Sequence, residues 1–300
     1  MNIQNKSAII CGAGGFIGSH LVKRLKDENY LTNCIYRQQF DLRNWESANL
    51  ALNTGADELY QLAGNGGGAG FVLSGDNDSN ILYDSTMINL NIIALSLFYG
   101  IKKVFFSSSA CVYKNNTRES SAYPANPNSD YGWQKLFSER IFQAYHRNYG
   151  LNVRIGRLHN IFGENSLWQD HRAQAPMAFC RMVAMAKDGD KIEIWGNGEQ
   201  TRSFLYIDDC IEGIRRLMDS DYSEPLNIGS GETVTINQLV KYIIDISGKD
   251  LNIKHIHGKI GVKNRSCDNT LIQSVLGWQP SYPLRDGLVK TYKWIESQIK

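Results

Sequence analysis

The stretch SAIICGAGGFIGSHLVKRL, residues 7–25, decides the fold of this 300-residue chain. A short β-rich run, Ser7–Cys11, leads into glycines spaced three residues apart and then into an amphipathic helical pattern. A strand, a glycine turn and a helix in this order are typical of dinucleotide-binding units, because the glycines let a pyrophosphate approach the backbone at the helix N-terminus. The alternative is a tight turn without a ligand. The predicted cofactor contacts in the turn are Gly12, Gly15, Phe16, Ile17 and Gly18.

Short β-rich runs separated by helical-length segments recur through the N-terminal half. These further runs are Cys34–Tyr36, Glu58–Gln61, Lys103–Ser107 and Val153–Arg157. Such alternation predicts βαβ crossovers and an α/β fold with a doubly wound parallel Rossmann sheet. In sheets of this kind ligands bind at the carboxyl ends of the strands, where the strand order reverses.

The length of the chain indicates about two domains, at roughly 150 residues each. After residue 158 the loops lengthen and aromatic residues accumulate. We therefore predict a Rossmann domain over residues 1–158 and a smaller C-terminal α/β substrate-binding domain over residues 159–300. A strand near residues 225–229 is expected to return to the first domain.

Composition excludes several classes of protein. The net charge is +2 without a basic block, which argues against a nucleic-acid partner. No run approaches 18 uninterrupted apolar residues, so we expect no membrane association. The six cysteines are scattered without a CxxC pair, which favours a reducing compartment and no metal site. Residues 1–7 lack the apolar centre of a secretory signal, so we expect a cytoplasmic protein.

The choice between NAD and NADP stays open in the sequence. NAD enzymes place an acidic residue after the second strand to hold the ribose 2′-hydroxyl, but here that strand is followed by Arg37. An arginine at this place can pair with the 2′-phosphate of NADP or can be an ordinary surface charge. Asp41, shortly after it, is a candidate contact to the adenine.

The strongest chemical pattern joins Ser109, Tyr131 and Lys135. Tyr131 and Lys135 stand four residues apart, on one face of a predicted helix. A tyrosine ionises near pH 10, so it needs a nearby cation to act as a base near neutrality, and the lysine supplies one. The serine hydroxyl can orient the substrate oxygen. The alternative is an ordinary surface pair of tyrosine and lysine.

Together these motifs resemble the extended short-chain dehydrogenase/reductase family of nucleotide-sugar enzymes over nearly the whole chain. Within it the chain is most similar to the GDP-mannose 3,5-epimerase group, with some features of the GDP-fucose synthase group. The stretches that carry the likeness are Gly66–Phe71, Ser109–Tyr113, Arg154–Gly163, Ala175–Cys180 and Gln200–Phe204.

The resemblance implies oxidation at C4 of a hexose by a nicotinamide, with Tyr131 as base and Cys111 as an acid/base at C3 or C5. The alternative for Cys111 is a small buried packing residue. The epimerase group carries a lysine as the second acid/base where this chain has Gln174, and an amide cannot exchange a proton at a useful rate. His171 is the nearby side chain that can replace it.

Substrate contacts are also implied by the resemblance. Arg202 and Arg265 suit a nucleotide diphosphate, although each of them can instead form an ordinary ion pair between domains. Gly67 and Gly68 can let the sugar approach the backbone or can form only a flexible turn. Asn160 can contact the substrate or can be purely structural. The predicted substrate-binding residues are Gly67, Gly68, Ser109, Cys111, Asn160, Gln174, Gln200, Arg202 and Arg265.

The sequence therefore predicts an NAD(P)-dependent enzyme acting at C4 of a GDP-mannose-type hexose or heptose, with epimerisation at C3, C5 or both. A GDP-sugar 4-dehydrogenase or 4-keto reductase without epimerisation is the first alternative. A dinucleotide-binding regulatory protein that has lost catalysis is the second, and the intact Ser109, Tyr131 and Lys135 argue against it. The resemblance also implies a homodimer.

Overall fold

A computed structural model of the chain describes residues 5–115, 117–258 and 263–299. The strands are β1 Ser7–Cys11, β2 Leu31–Ile35, β3 Glu58–Gln61, β4 Lys103–Ser109, β5 Asn152–Leu158, β6 Ile161–Phe162, β7 Lys191–Trp195, β8 Thr201–Ser203, β9 Leu205–Tyr206, β10 Leu226–Ile228, β11 Thr233–Thr235, β12 Asn252–Ile256 and β13 Asn264–Arg265. The helices are α1 Phe16–Asp27, α2 Trp45–Leu52, α3 Ala69–Val72, α4 Asp78–Phe98, α5 Asp130–Tyr149, α6 Ala175–Met185, α7 Ile207–Asp219, α8 Ile236–Ser247, α9 Thr270–Leu276 and α10 Leu284–Ile299.

Six strands form one sheet in the order β10-β5-β4-β3-β1-β2, and every pair in it is parallel. The predicted α/β fold with a Rossmann sheet is confirmed. The strand order reverses between β1 and β3, because β2 lies on one side of β1 and β3 on the other. Sheets of this kind bind their ligands at such a switch point, in a crevice at the carboxyl ends of the strands.

Strand β4 shows why the sequence forms a sheet that is covered on both faces. Phe105 belongs to one apolar cluster of the core, while Val104 and Phe106 belong to another on the opposite face. Continuous apolar runs are expected in parallel strands that helices cover on both sides. The strand ends in three serines, which places hydroxyl groups at the edge of the crevice.

The later part of the chain builds three small sheets, β11-β8-β13, β12-β7 and β6-β9. Its helices α6, α8 and α10 pack against one another. One apolar cluster runs from Ile10 and Phe105 of the large sheet to Met177 and Leu288 of this later part. Strand β10 lies beside β5 in the large sheet, and the division at residue 158 stays a prediction.

Helix α4 is long and apolar enough, by length and composition, to cross a membrane, although the sequence contains no uninterrupted apolar run of 18 residues. An 18-residue window of α4 has a mean hydropathy of 1.4, and 44% of that window is buried inside the fold. Polar residues such as Asn89 and Asn91 interrupt the apolar run of this helix, but they lower its mean hydropathy only a little. The helix packs against α2 and α5.

Candidate active site

The glycine turn after β1 has the geometry that a pyrophosphate needs. Gly12 has a φ of +82°, in the left-handed region that favours glycine. A Cβ on Gly18 would lie 2.1 Å from the carbonyl oxygen of Gly12, so only glycine lets α1 pack this closely on the turn. Gly15 precedes α1, whose first turn has neither an acidic residue nor a side-chain cap. Its amides are therefore suited to an anion, and the turn fits a dinucleotide.

The region after β2 holds a charge cluster that the sequence indicates only in part. Arg37 is exposed, and its charge lies near Asp41. Hydrogen bonds from Arg43 hold the pKa of Asp41 at about 2, below its ordinary value. Arg43 also contacts Asp84 of α4 at 2.9 Å. Sequence reasoning missed Arg43, which binds Asp41, and the cofactor roles of Arg37 and Asp41 stay predictions.

Ser109, Tyr131 and Lys135 come together at the crevice, as their spacing predicts. Ser109 ends β4, and Tyr131 and Lys135 lie in the first two turns of α5. Lys135 Nζ lies 5.6 Å from the centre of the Tyr131 ring and donates to the carbonyl oxygen of Ser107 at 2.7 Å. The Ser129 side chain caps α5 by accepting from the amide of Gly132 at 3.2 Å.

Burial shifts the two titrating groups of this trio in opposite directions. It raises the pKa of Tyr131 above its ordinary value, and the neighbouring Cys111 adds to that rise, while the hydrogen bond with Ser109 opposes it. Burial lowers the pKa of Lys135 to about 8. Both shifts favour the uncharged forms, so Tyr131 is protonated near pH 7, and the expected lowering of its pKa by Lys135 is not seen.

Cys111 lies where α5 meets the turn after β4. A Cβ on Gly132 would be 2.2 Å from the carbonyl oxygen of Cys111, so the two backbones are in direct contact. The Cys111 thiol lies 3.8 Å from Nη1 of Arg265. The other five cysteines are Cys11, Cys180, Cys210 and Cys267, which are buried, and Cys34, which is partly buried.

Two predicted substrate arginines stand next to each other. Arg265 of β13 pairs in register with Arg202 of β8. Burial lowers the pKa of Arg202, and the charge of Arg265 lowers it further. In the described part of the chain neither arginine has a carboxylate within ion-pair distance. Two adjacent cations without a counter-ion suit a diphosphate.

A buried polar network adjoins the residues of this trio, and no sequence pattern indicates it. Glu139 lies one turn after Lys135 on α5 and pairs with Arg157 of β5 at 2.7 Å, with 1% and 2% of their side chains exposed. Glu139 also accepts from the hydroxyl of Ser108, which precedes Ser109. Nη1 of Arg157 donates to the hydroxyl of Tyr113 at 2.8 Å.

The same network ends on a histidine. The Tyr113 hydroxyl donates to the Asn227 amide oxygen at 2.7 Å, and His159 Nε2 lies 3.0 Å from that oxygen. Burial lowers the pKa of His159 to about 4, so the ring is neutral near pH 7. Among the described residues the buried Nδ1 of His159 has no hydrogen-bond partner.

Two loops from different parts of the chain meet opposite Tyr131. A Cβ on Gly66 would lie 3.1 Å from Cε2 of Tyr131, and a Cβ on Gly67 would lie 3.0 Å from Phe71. The Gly68 amide donates to the Arg172 carbonyl at 2.8 Å. These contacts require small residues after β3, as the glycine run indicates.

Gln174, Asn160 and Gln200 are the remaining predicted substrate residues. Gln174 precedes α6 without a side-chain hydrogen bond to the helix, and His171 is exposed three residues earlier. Asn160 has a φ of +43° and donates to the Ser203 carbonyl at 2.9 Å, which fits a structural role. The buried amide oxygen of Gln200 has no partner among the described residues. The substrate roles of these residues stay predictions.

Metal binding has no support in the described ranges. Over residues 5–115, 117–258 and 263–299, no three His, Cys, Asp or Glu side chains are grouped as a metal would require.

Comparisons with known proteins agree with this geometry. The sequence model of the NAD dependent epimerase/dehydratase family matches residues 8–229. GDP-mannose 3,5-epimerase 1 of rice (Oryza sativa subsp. japonica) is 41% identical over 97% of this chain and 82% of its own length. GDP-mannose 3,5-epimerase of Arabidopsis thaliana is 41% identical over 99% of this chain and 84% of its own length. UDP-glucose 4-epimerase of Thermotoga maritima superposes with a TM-score of 0.88 at 25% identity, over 98% of this chain and 100% of its own.

Proposed function

The chain belongs to the NAD-dependent epimerase/dehydratase family and is an NAD(P)-dependent enzyme, and from this premise we propose that its substrate is a GDP-mannose-type hexose or heptose. It acts at C4 of that sugar and epimerises C3, C5 or both through the 4-keto sugar. The observation that carries the proposal is the meeting of Tyr131, Lys135 and Ser109 with the Cys111 thiol at one crevice. The 41% identity to two GDP-mannose 3,5-epimerases supports the substrate class.

The first step of the proposed reaction is at C4. A bound NAD(P) would supply the hydride acceptor for C4 and, in its reduced form, the hydride donor for the return. Tyr131 acts as the tyrosinate, which the charge of Lys135 stabilises, and becomes the neutral phenol when it takes the proton from O4, while Ser109 orients that oxygen. The adjacent Arg202 and Arg265 hold the diphosphate of the substrate.

The second step is proton exchange next to the new ketone. The ketone at C4 acidifies the hydrogens on C3 and C5, and Cys111 removes one of them. Inversion then needs a proton on the opposite face of the ring. Gln174 cannot supply that proton, and His171, exposed on the same loop, is the candidate donor. When the hydride returns to C4, the cofactor is unchanged overall.

Gln174 also favours the second candidate, a GDP-sugar 4-dehydrogenase or 4-keto reductase. Such an enzyme uses Tyr131, Lys135 and Ser109 in the same way but needs no proton donor on the second face. In that case Cys111 is a packing residue beside Arg265.

One incubation tests these candidates. The protein is mixed with GDP-mannose, or with a GDP-manno-heptose, in D2O, and deuterium at C3 and C5 is followed together with cofactor absorbance. Deuterium uptake without net cofactor change is the result expected of the epimerase. A net change in cofactor absorbance without uptake supports the 4-dehydrogenase or 4-keto reductase. Neither signal with any GDP-sugar, while cofactor binds, contradicts both and leaves a regulatory protein.

Assembly and location are part of the proposal. We place the enzyme in the cytoplasm, without a membrane or nucleic-acid partner, as a homodimer that pairs through α4 and α5. Both helices expose large apolar side chains, which supports burial against a second copy. These side chains are Leu82, Tyr83, Leu90 and Phe98 of α4 and Trp133, Phe137 and Tyr149 of α5. Light scattering after size-exclusion chromatography tests the dimer.

A further inference from the structure

Arg172 lies on the loop between β6 and α6, and it reaches across the crevice to the glycine run after β3. Its Nη2 donates to the Asn65 side-chain oxygen at 3.1 Å and to the Gly66 carbonyl at 3.3 Å. Its guanidinium carbon lies 4.3 Å from the centre of the Phe71 ring. The side chain therefore binds three neighbours on the opposite loop at once.

The backbones of the two loops touch at the same place. The Gly68 amide donates to the Arg172 carbonyl at 2.8 Å, and a Cβ on Gly68 would lie 2.6 Å from the Ala173 carbonyl oxygen. A Cβ on Gly70 would lie 3.3 Å from the His171 carbonyl oxygen. The side-chain contacts of Arg172 thus hold an interface that the glycines make possible.

Arg172 is held there by neutral groups. Within the described part of the chain no carboxylate lies within ion-pair distance of it. Its partners are an amide oxygen, a carbonyl oxygen and an aromatic face, all of which match a planar guanidinium and not a point charge. Its several donors in one plane let it bind the two oxygens while it lies over the Phe71 ring.

The interface touches the catalytic tyrosine through Gly66. A Cβ on Gly66 would lie 3.1 Å from Cε2 of the Tyr131 ring. The glycine run is also fixed to α4, because the backbone amide of Asn65 donates to the Ser85 hydroxyl at 3.0 Å. A shift of Gly66 would change the space beside the Tyr131 ring.

We propose that Arg172 is a positioning residue, which latches the loop before α6 onto the glycine run and so sets the place of Gly66 against Tyr131. The effect on turnover rests on the proposed function, whereas the latch itself does not. A displacement on the order of 1 Å at a reacting group can lower the rate about 100-fold. The latch therefore acts on kcat more than on KM.

The test uses Arg172→Ala, Arg172→Lys and a control, Arg216→Ala, in the 300-residue chain. Arg216 is an exposed arginine of α7 that pairs with Glu212 at 2.7 Å, and among the described residues no side-chain hydrogen bond joins it to either loop. We expect Arg172→Ala to lower kcat about 10- to 100-fold with KM changed far less. Arg172→Lys should not restore kcat, whereas added guanidinium, at concentrations far below those that unfold the protein, should restore part of it in Arg172→Ala. Arg216→Ala should behave as the wild type does.

A second measurement needs no substrate. Hydrogen–deuterium exchange of peptides covering residues 64–72 should be faster in Arg172→Ala than in the wild type and in Arg216→Ala. A kcat within twofold of the wild type, or full activity of Arg172→Lys, overturns the proposal. So does unchanged exchange of residues 64–72. If the wild type turns over no GDP-sugar, the proposed function fails, and the exchange measurement alone decides the latch.

Discussion

The buried pair of Glu139 and Arg157 offers a prediction whose size follows from the structure. Glu139→Gln keeps the side-chain shape and removes the only charge that neutralises Arg157 within the described residues. Arg157 then keeps two neutral acceptors, the Tyr113 hydroxyl at 2.8 Å and the Glu119 carbonyl at 2.9 Å. Removing one partner from a buried pair costs about 3–5 kcal/mol, because a charge stays buried without its counter-charge.

A matched exposed pair sets the scale for this loss. Glu193 and Lys254 lie 2.8 Å apart with 47% and 52% of their side chains exposed. Water screens such pairs, so Glu193→Gln should change the free energy of unfolding by less than about 1 kcal/mol.

Urea denaturation of the wild type and the two variants, followed by circular dichroism at pH 7, measures both losses. We expect a lower midpoint for Glu139→Gln at an unchanged slope with denaturant. A loss below about 1 kcal/mol, or one equal to that of Glu193→Gln, refutes the reasoning, because a buried pair cannot be broken at the cost of an exposed one.

Three further predictions concern protons. Burial lowers the pKa of Lys135 to about 8 from 10.5, so the folded protein binds fewer protons there than the unfolded chain, and stability should rise with pH between those values. Lys135→Met should remove that rise in urea titrations from pH 7.5 to 10.5, and an identical rise contradicts it. Burial lowers the pKa of His159 from 6.5 to about 4, so stability should be lost as pH falls through this range, and His159→Asn should flatten the loss; an unchanged slope contradicts it. Gln174→Lys should increase the inverted fraction of the product seen by NMR, while no increase argues against a missing second acid/base.

Local patterns predict much of this fold because the features that they report are themselves local. The runs Ser7–Cys11 and Glu58–Gln61 are strands with the predicted bounds. Tyr131 and Lys135 share a helix face because four residues make about one turn. In each case the signal and the structure lie within a few residues of each other.

Contacts between distant segments could not be predicted in this way. Arg172 and Asn65 are 107 positions apart, and nothing in either segment indicates that their loops meet. Arg157 and Glu139 sit in a strand and a helix whose patterns give no partner. Likewise the bond of Arg43 to Asp84 spans 41 residues. Such pairings depend on how the sheet and its helices stack, which the sequence pattern does not contain.

The most direct test of the account is the D2O incubation repeated with Tyr131→Phe and Cys111→Ser. The central claim is that Tyr131 moves the O4 proton during hydride transfer, while Cys111 moves the proton on the neighbouring carbon. We expect Tyr131→Phe to lose both deuterium uptake and hydride transfer at C4. Cys111→Ser should lose uptake at the carbon that Cys111 deprotonates, C3 or C5, yet still transfer hydride, seen as a transient change in cofactor absorbance in a single turnover. Equal loss of hydride transfer in both variants, or full deuterium uptake in Cys111→Ser, would contradict this division of roles.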